Sequence, residues 1–120
     1  MNANQPMKRV RFLNVEIRTP PFGKEARREA GDALRRAQEG EALPMPLSRP
    51  MPSIGRRCHE LRIDDAETRQ TWRIVYRTDP GDVLVAAVFA KKTQATPKAQ
   101  IDLSRARLAM YDRIRKETLG

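Results

Sequence analysis

Apolar and polar residues alternate from Val10 to Arg18, where Leu13, Val15 and Ile17 are separated by Asn14, Glu16 and Arg18. That two-residue period predicts a strand with one buried face. Thr19-Pro20-Pro21 ends it, since paired prolines stop sheet pairing and preset a helix entry. The period then changes. Phe22, Ala26, Ala30, Ala33, Leu34 and Ala37 fall on one stripe of a helix from Phe22 to Glu39, and Lys24, Arg27, Arg28, Arg35 and Arg36 occupy its other faces. Gly31 predicts a weakening or a break within this helix, and Gly40 its C-terminal stop.

Ala42 to Gly55 carries Pro44, Pro46, Pro50 and Pro52, which excludes a helix or a central strand and predicts an ordered, irregular crossing. Alternation returns from Arg57 to Ile63, with His59, Leu61 and Ile63 on one face and Cys58, Glu60 and Arg62 on the other. After a polar turn, Asp64 to Gln70, it resumes from Thr71 to Arg77, where Trp72, Ile74 and Tyr76 oppose Arg73, Val75 and Arg77. Thr78-Asp79-Pro80-Gly81-Asp82 reads as a turn. Val83 to Ala90 is apolar on both faces, as suits a strand between two layers. Thr96-Pro97 opens a last helix with Pro at its first position, and Leu103, Ala106, Met110 and Ile114 form its apolar stripe, widened by Leu108 and Tyr111.

The fold class predicted is α+β: an antiparallel twisted sheet, made of the N-terminal strand and a three-strand meander, packed against an N-terminal helical segment and a C-terminal helix. Residues 1–120 are expected to form a single domain with 1–6 as a disordered lead, and Met7 is an alternative start.

Charge changes the picture more than composition does. Lys plus Arg number 24 against 15 Asp plus Glu, a net charge of +9. Such an excess points to a polyanionic partner, either nucleic acid or an acidic protein segment, with a merely soluble basic protein as the plain alternative. The single cysteine, Cys58, excludes an internal disulfide and a cysteine-built zinc site, and the single histidine, His59, excludes a histidine-rich metal site. Neither metal nor cofactor is expected. Met1 to Pro6 lacks the apolar run of a signal peptide, and Val83 to Ala90 falls far short of the roughly 20 residues of a membrane helix, so a cytoplasmic protein without membrane contact is expected.

Four clusters carry candidate chemistry. Arg56, Arg57 and Arg62 lie at the start of and within the second strand, and Arg73 and Arg77 alternate on the third. If the hairpin register places them on one face, their planar guanidiniums suit phosphate. Pairing with Glu60, Asp64, Asp65 and Glu67 as a solvated face is the competing reading. Lys91-Lys92 follows the most apolar strand directly, which delivers both lysines at a fixed sheet edge, to contact phosphate or to keep the strand end soluble. His59 has the side chain for proton transfer near neutral pH, but it shares a face with Leu61 and Ile63, so alternation sets it against the core. Asp64-Asp65 lacks a third carboxylate at metal-binding spacing, and Tyr111 lies on the apolar stripe of the last helix.

Glu60-Leu61-Arg62, Trp72-Arg73-Ile74-Val75-Tyr76, Phe89-Ala90-Lys91-Lys92-Thr93, and Thr96-Pro97 leading to Ala106-Arg107 and Tyr111 follow one another in an order and spacing that resembles the RelE/ParE toxin superfamily, most closely its phage-derived HigB-like branch. The resemblance implies the toxin of a type II toxin–antitoxin system, a ribosome-dependent mRNA endoribonuclease that uses basic residues in place of a metal. It implies catalytic roles for Arg73 and Lys92 at the phosphate and for His59 as an acid or base, with Arg56, Arg57, Arg62, Arg77 and Lys91 positioning RNA. The implied partners are mRNA, the ribosome and a cognate antitoxin of helix-turn-helix type in a toxin–antitoxin hetero-oligomer. Where some relatives carry a tyrosine or a histidine-bearing tail, this chain reads Thr96-Pro97-Lys98 and has no such tail, which leaves the general base open. A gyrase-directed inhibitory toxin and an inactive RNA-binding module are the alternatives.

Overall fold

The computed structural model describes residues 7–14, 21–91 and 95–119. The polar lead Met1–Pro6, the expected strand residues Val15–Arg18, and Lys92 all lie outside these residues. Seven elements follow in chain order: β1 (Arg9–Phe12), α1 (Lys24–Gln38), β2 (Ser48–Pro50), β3 (Cys58–Asp65), β4 (Gln70–Thr78), β5 (Asp82–Ala90) and α2 (Lys98–Leu119). The strands form one sheet in the order β1-β5-β4-β3-β2. This is the expected α+β architecture, a sheet with an N-terminal and a C-terminal helix.

Three details depart from the alternation reading. β1 pairs with β5 in parallel, Arg9 opposite Asp82 through Phe12 opposite Val85, so the sheet is mixed. The reason is connectivity: α1 and the β2–β4 strands intervene between β1 and β5, which supplies the long crossover that a parallel pair needs. The proline-rich crossing also contributes a short strand, β2, which pairs Ser48 with Leu61 and Pro50 with His59. It sits at the sheet edge, where proline is tolerated. Gly31 causes no break, because α1 is continuous from Lys24 to Gln38.

α1 buries Ala26, Ala30, Ala33 and Ala37, the expected stripe, against Leu61, Ile63, Trp72, Ile74, Tyr76, Val83 and Val85. Gly23 offers no side chain at the N-terminus of α1, and carboxylates from the β3–β4 turn take over the capping. Asp65 Oδ2 accepts from Gly23 N at 2.7 Å and from Trp72 Nε1 at 2.9 Å, and Glu67 Oε2 accepts from Lys24 N at 2.8 Å. The Gly23 amide, with further bonds from Thr68 and Trp72, holds the Asp65 carboxyl well below the usual carboxylate range.

α2 covers the opposite face of the sheet, where Leu108 joins Met51, Ile54, Cys58, Val75, Leu84, Ala86, Ala87 and Phe89, flanked by Ile101 and Tyr111. The stripe expected to face the core does not: Leu103, Met110 and Ile114 are 39%, 48% and 53% exposed. Polar contacts set the rotation instead. Arg77 bonds Asp112 at 2.7 and 2.9 Å, Arg107 Nη1 donates to Ala86 O at 2.8 Å, and the fully buried Ser104 lets the helix approach the sheet. Pro97 also stands just before α2, its carbonyl accepting from the amides of Gln100 and Ile101. No helix among the described residues is long and apolar enough to cross a membrane.

Candidate cationic site

The α2-side face of the sheet carries Glu60 and Arg62 on β3 and Arg73 and Arg77 on β4. Register fixes this: Arg62 lies directly opposite Arg73, and Arg77 opposite Cys58. Like charges facing each other across a ladder repel. Glu60 is the local compensation. It is 1% exposed, and its Oε1 lies 3.1 Å from Arg49 Nη2 on β2, 3.5 Å from Lys91 Nζ at the end of β5, and 3.6 Å from Arg73 Nε. Its other oxygen, Oε2, accepts from Thr96 Oγ1 at 2.6 Å, and that hydroxyl accepts in turn from Arg49 Nη2 at 3.0 Å.

One carboxylate thus faces three cationic side chains, and Arg62 stands alongside, its Nε 3.6 Å from Asp64 Oδ1. Burial is the main cause that pushes the Arg73 and Lys91 proton affinities down; Glu60 opposes the shift at both, and Arg49 adds to it. The Nε atoms of Arg49 and Arg73 are buried donors without a hydrogen-bond partner among the described residues. Excess positive charge is what an incoming anion would balance, and it would do so from the solvent side, where Arg49 and Arg62 are open. Arg49 and Arg62 are partly open to solvent, with side chains 38% and 47% exposed, while Arg73 (10%) and Lys91 (0%) form the floor.

The remaining candidates stand elsewhere. Arg77 lies on the same face but is occupied, bonded to Asp79 and Asp112, whose carboxylates raise its proton affinity. It ties β4 to α2. Arg57 bonds Thr78 O and Asp79, and Arg56 is exposed beside it, both at the Cys58 end of β3 and away from Arg62. His59 is on the α1 side, stacked on Tyr76 at 5.3 Å, so the sheet separates it from Arg73. Its Nδ1 is buried without a hydrogen-bond partner among the described residues, in keeping with the core placement that alternation indicates. No group of three metal-ligating side chains occurs among the described residues.

Arg49 and Thr96 were not legible as site residues, and Glu60 was legible as a neighbour of His59, as a salt-bridge partner and as part of the Glu60-Leu61-Arg62 motif. Glu60 did give a signal, a carboxylate on the opposite strand face from Leu61 and Ile63. Arg49, buried among prolines, gave none.

The pattern of the phage-derived Gp49-like protein family (DUF891) matches residues 21–109, which span α1, the meander and the first half of α2. The chain belongs to this family. Gp49-like proteins are associated with RelE-like toxins, and the five-stranded sheet with its two helices is consistent with a RelE-like fold. Among curated proteins none matches the chain. The matched region of this Gp49-like chain includes every residue of the cationic cluster: Arg49, Glu60, Arg62, Arg73, Lys91 and Thr96.

Proposed function

We propose that this Gp49-like protein is the toxin of a toxin–antitoxin pair of the HigB-like branch, and that it cleaves mRNA at the ribosome. The observation that carries the reading is the Arg62–Arg73 cross-strand pair with Arg49 and Lys91 around a single buried carboxylate. Arg49, Arg73 and Lys91 share one carboxylate, and the excess positive charge they leave is what a phosphodiester would balance.

In the reaction proposed, a ribose 2′-hydroxyl attacks the adjacent phosphorus and the 5′-oxygen departs, leaving a 2′,3′-cyclic phosphate. Solvent water takes the 2′-hydroxyl proton as the new P–O bond forms, and solvent water returns a proton to the leaving 5′-oxygen as the P–O5′ bond breaks. Negative charge grows on the non-bridging oxygens in between. Arg73, with the open guanidiniums of Arg49 and Arg62, would hold those oxygens, and Lys91 would add its charge from beneath. Because His59 lies across the sheet, it has no part in this step. A cognate antitoxin would silence the protein by covering the same cations.

The test is cleavage mapping of mRNA on programmed ribosomes with wild type and Arg73→Ala. Cuts that wild type makes and the folded variant does not would support the reading. Absence of cuts by folded wild type would sink it, and DNA damage responses on expression would then favour a gyrase-directed toxin.

A further inference from the structure

Glu60 is the buried acidic side chain of the cationic cluster, Asp64 lying exposed at its rim beside Arg62, and it does more than balance charge. Four groups from four separate chain positions converge on its two oxygens. Arg49 comes from the edge strand β2, Arg73 from β4, Lys91 from the end of β5, and Thr96 from the approach to α2. Arg49, Arg73 and Lys91 are far apart in sequence, so the sheet and no local turn brings these three together.

Three cationic side chains against one carboxylate leave two positive charges in excess at a point that is nearly closed to water. A phosphodiester carries one negative charge, and the phosphorane formed by 2′-hydroxyl attack carries up to two. A site with that excess favours the charge of the transition state over that of the ground state, which is the condition for rate acceleration. Without the carboxylate, the cations would repel one another, Lys91 would swing toward solvent, and ground-state anions would be held more tightly to no catalytic gain.

We infer that Glu60 is a positioning residue: it sets Arg49, Arg73 and Lys91 around one point and trims their charge to suit the phosphorane formed from a single phosphodiester group. This inference rests on the nucleic-acid reading of the site.

The experiment compares wild type with Glu60→Gln, which keeps the side-chain size and an oxygen acceptor for Thr96. Three readouts are used: acylation of Lys91 located by peptide mass, binding of an uncleavable 2′-deoxy oligonucleotide across a salt series, and cleavage on ribosomes. In Glu60→Gln, Lys91 should become reactive while the buried Cys58 thiol stays protected, which separates release of one lysine from general unfolding. The log–log salt slope of binding should steepen by about 0.7, the increment for one further single-strand phosphate. Cleavage should fall roughly tenfold or more in kcat with little rise in KM.

A protected Lys91 with an unchanged slope would overturn the inference. So would exposure of Lys91 and Cys58 together, which would make Glu60 a general support of the fold, and so would full cleavage by the variant. If wild type binds the oligonucleotide but cuts nothing, the ribonuclease reading fails, and the first two readouts still decide the role of Glu60.

Discussion

Lys91 is the residue whose surroundings most affect how the site responds to conditions. Its ammonium is closed off from solvent, with Glu60 on β3 drawing it in and Arg73 on β4 and Arg49 on β2 opposing its charge. Burial outweighs the carboxylate, so the proton is held less firmly than on an ordinary lysine. As pH rises, Lys91 should therefore lose its charge before the usual lysine value of 10.5 is reached. Binding of a 2′-deoxy oligonucleotide, followed over alkaline pH, should weaken in that window, and its salt slope should become shallower by about 0.7. A profile flat up to the ordinary lysine range would contradict this placement. The effect on stability has the opposite sign. The unfolded chain keeps the proton to higher pH than the folded one, so the destabilising contribution of a buried ammonium is relieved as pH rises through the same window.

Residue-level chemistry was partly legible in the chain. Alternation placed Arg62, Arg73 and Arg77 on faces of their strands, and left open whether the faces coincide. The structure closes that question through a four-residue turn, Ala66–Arg69, three residues shorter than the polar stretch suggests. Of the two readings, the salt-bridge one is seen directly, with Asp64 at Arg62 and Glu60 at Arg73 as two of the partners the sequence offers. Arg77 is a salt-bridge residue, while Arg73 and Arg62 face each other, Arg62 3.6 Å from the exposed carboxylate of Asp64 and Arg73 3.6 Å from Glu60, which Arg49 and Lys91 share. Asp65 and Glu67, read as partners for those arginines, instead cap α1 across the sheet.

At the scale of elements, the two helices are held by different means. α1 docks through four alanines, which bring its backbone close to the sheet, and through carboxylates at its N-terminus. A Cβ at Gly23 would collide with the side chains of Glu67 and Asp65, although its backbone at φ −64° suits any residue. Gly23→Ala should therefore destabilise the protein by about 1–3 kcal/mol, the usual range for forced overpacking. Denaturant unfolding measures this, and a neutral result would show that the capping turn yields freely.

α2 depends on fewer apolar contacts, and its rotation follows polar anchors. Arg77 joins Asp79 and Asp112 to make the strongest of these. Arg77→Ala should lower stability by about 1–3 kcal/mol, discounted because Asp112 is half exposed, and should leave the oligonucleotide salt slope unchanged. A shallower slope with unaltered stability would return Arg77 to the RNA-binding set. The sequence misleads about α2 for an identifiable reason. Leu103, Ala106, Met110 and Ile114 form the more hydrophobic stripe, but helix rotation is set by where Asp112 and Arg107 can be satisfied and where the small Ser104 can pack against the sheet, and those constraints depend on tertiary neighbours.

Across the whole molecule, the sheet acts as a partition. Its α1 face is an apolar core with His59 at its margin, and its α2 face combines a second core with the cationic cluster. The net charge of +9 predicts a polyanionic partner but not a location; the sheet concentrates part of that charge where one carboxylate must serve three cations. Element order was legible because strong periodicity survives in a single sequence. The parallel β1–β5 pair and the convergence on Glu60 were not, since both depend on contacts between segments far apart in the chain.

The central claim is that Arg73 and its neighbouring cations act on a phosphodiester of ribosome-bound mRNA. The most direct measurement maps cleavage on programmed ribosomes with wild type, Arg73→Ala, and a message carrying a single 2′-deoxy nucleotide at the mapped cut. The account predicts cuts by wild type, a loss of roughly a hundredfold or more with the folded Arg73→Ala protein, and no cut at the 2′-deoxy position. Undiminished cleavage by Arg73→Ala, or cleavage at the 2′-deoxy position, would contradict it.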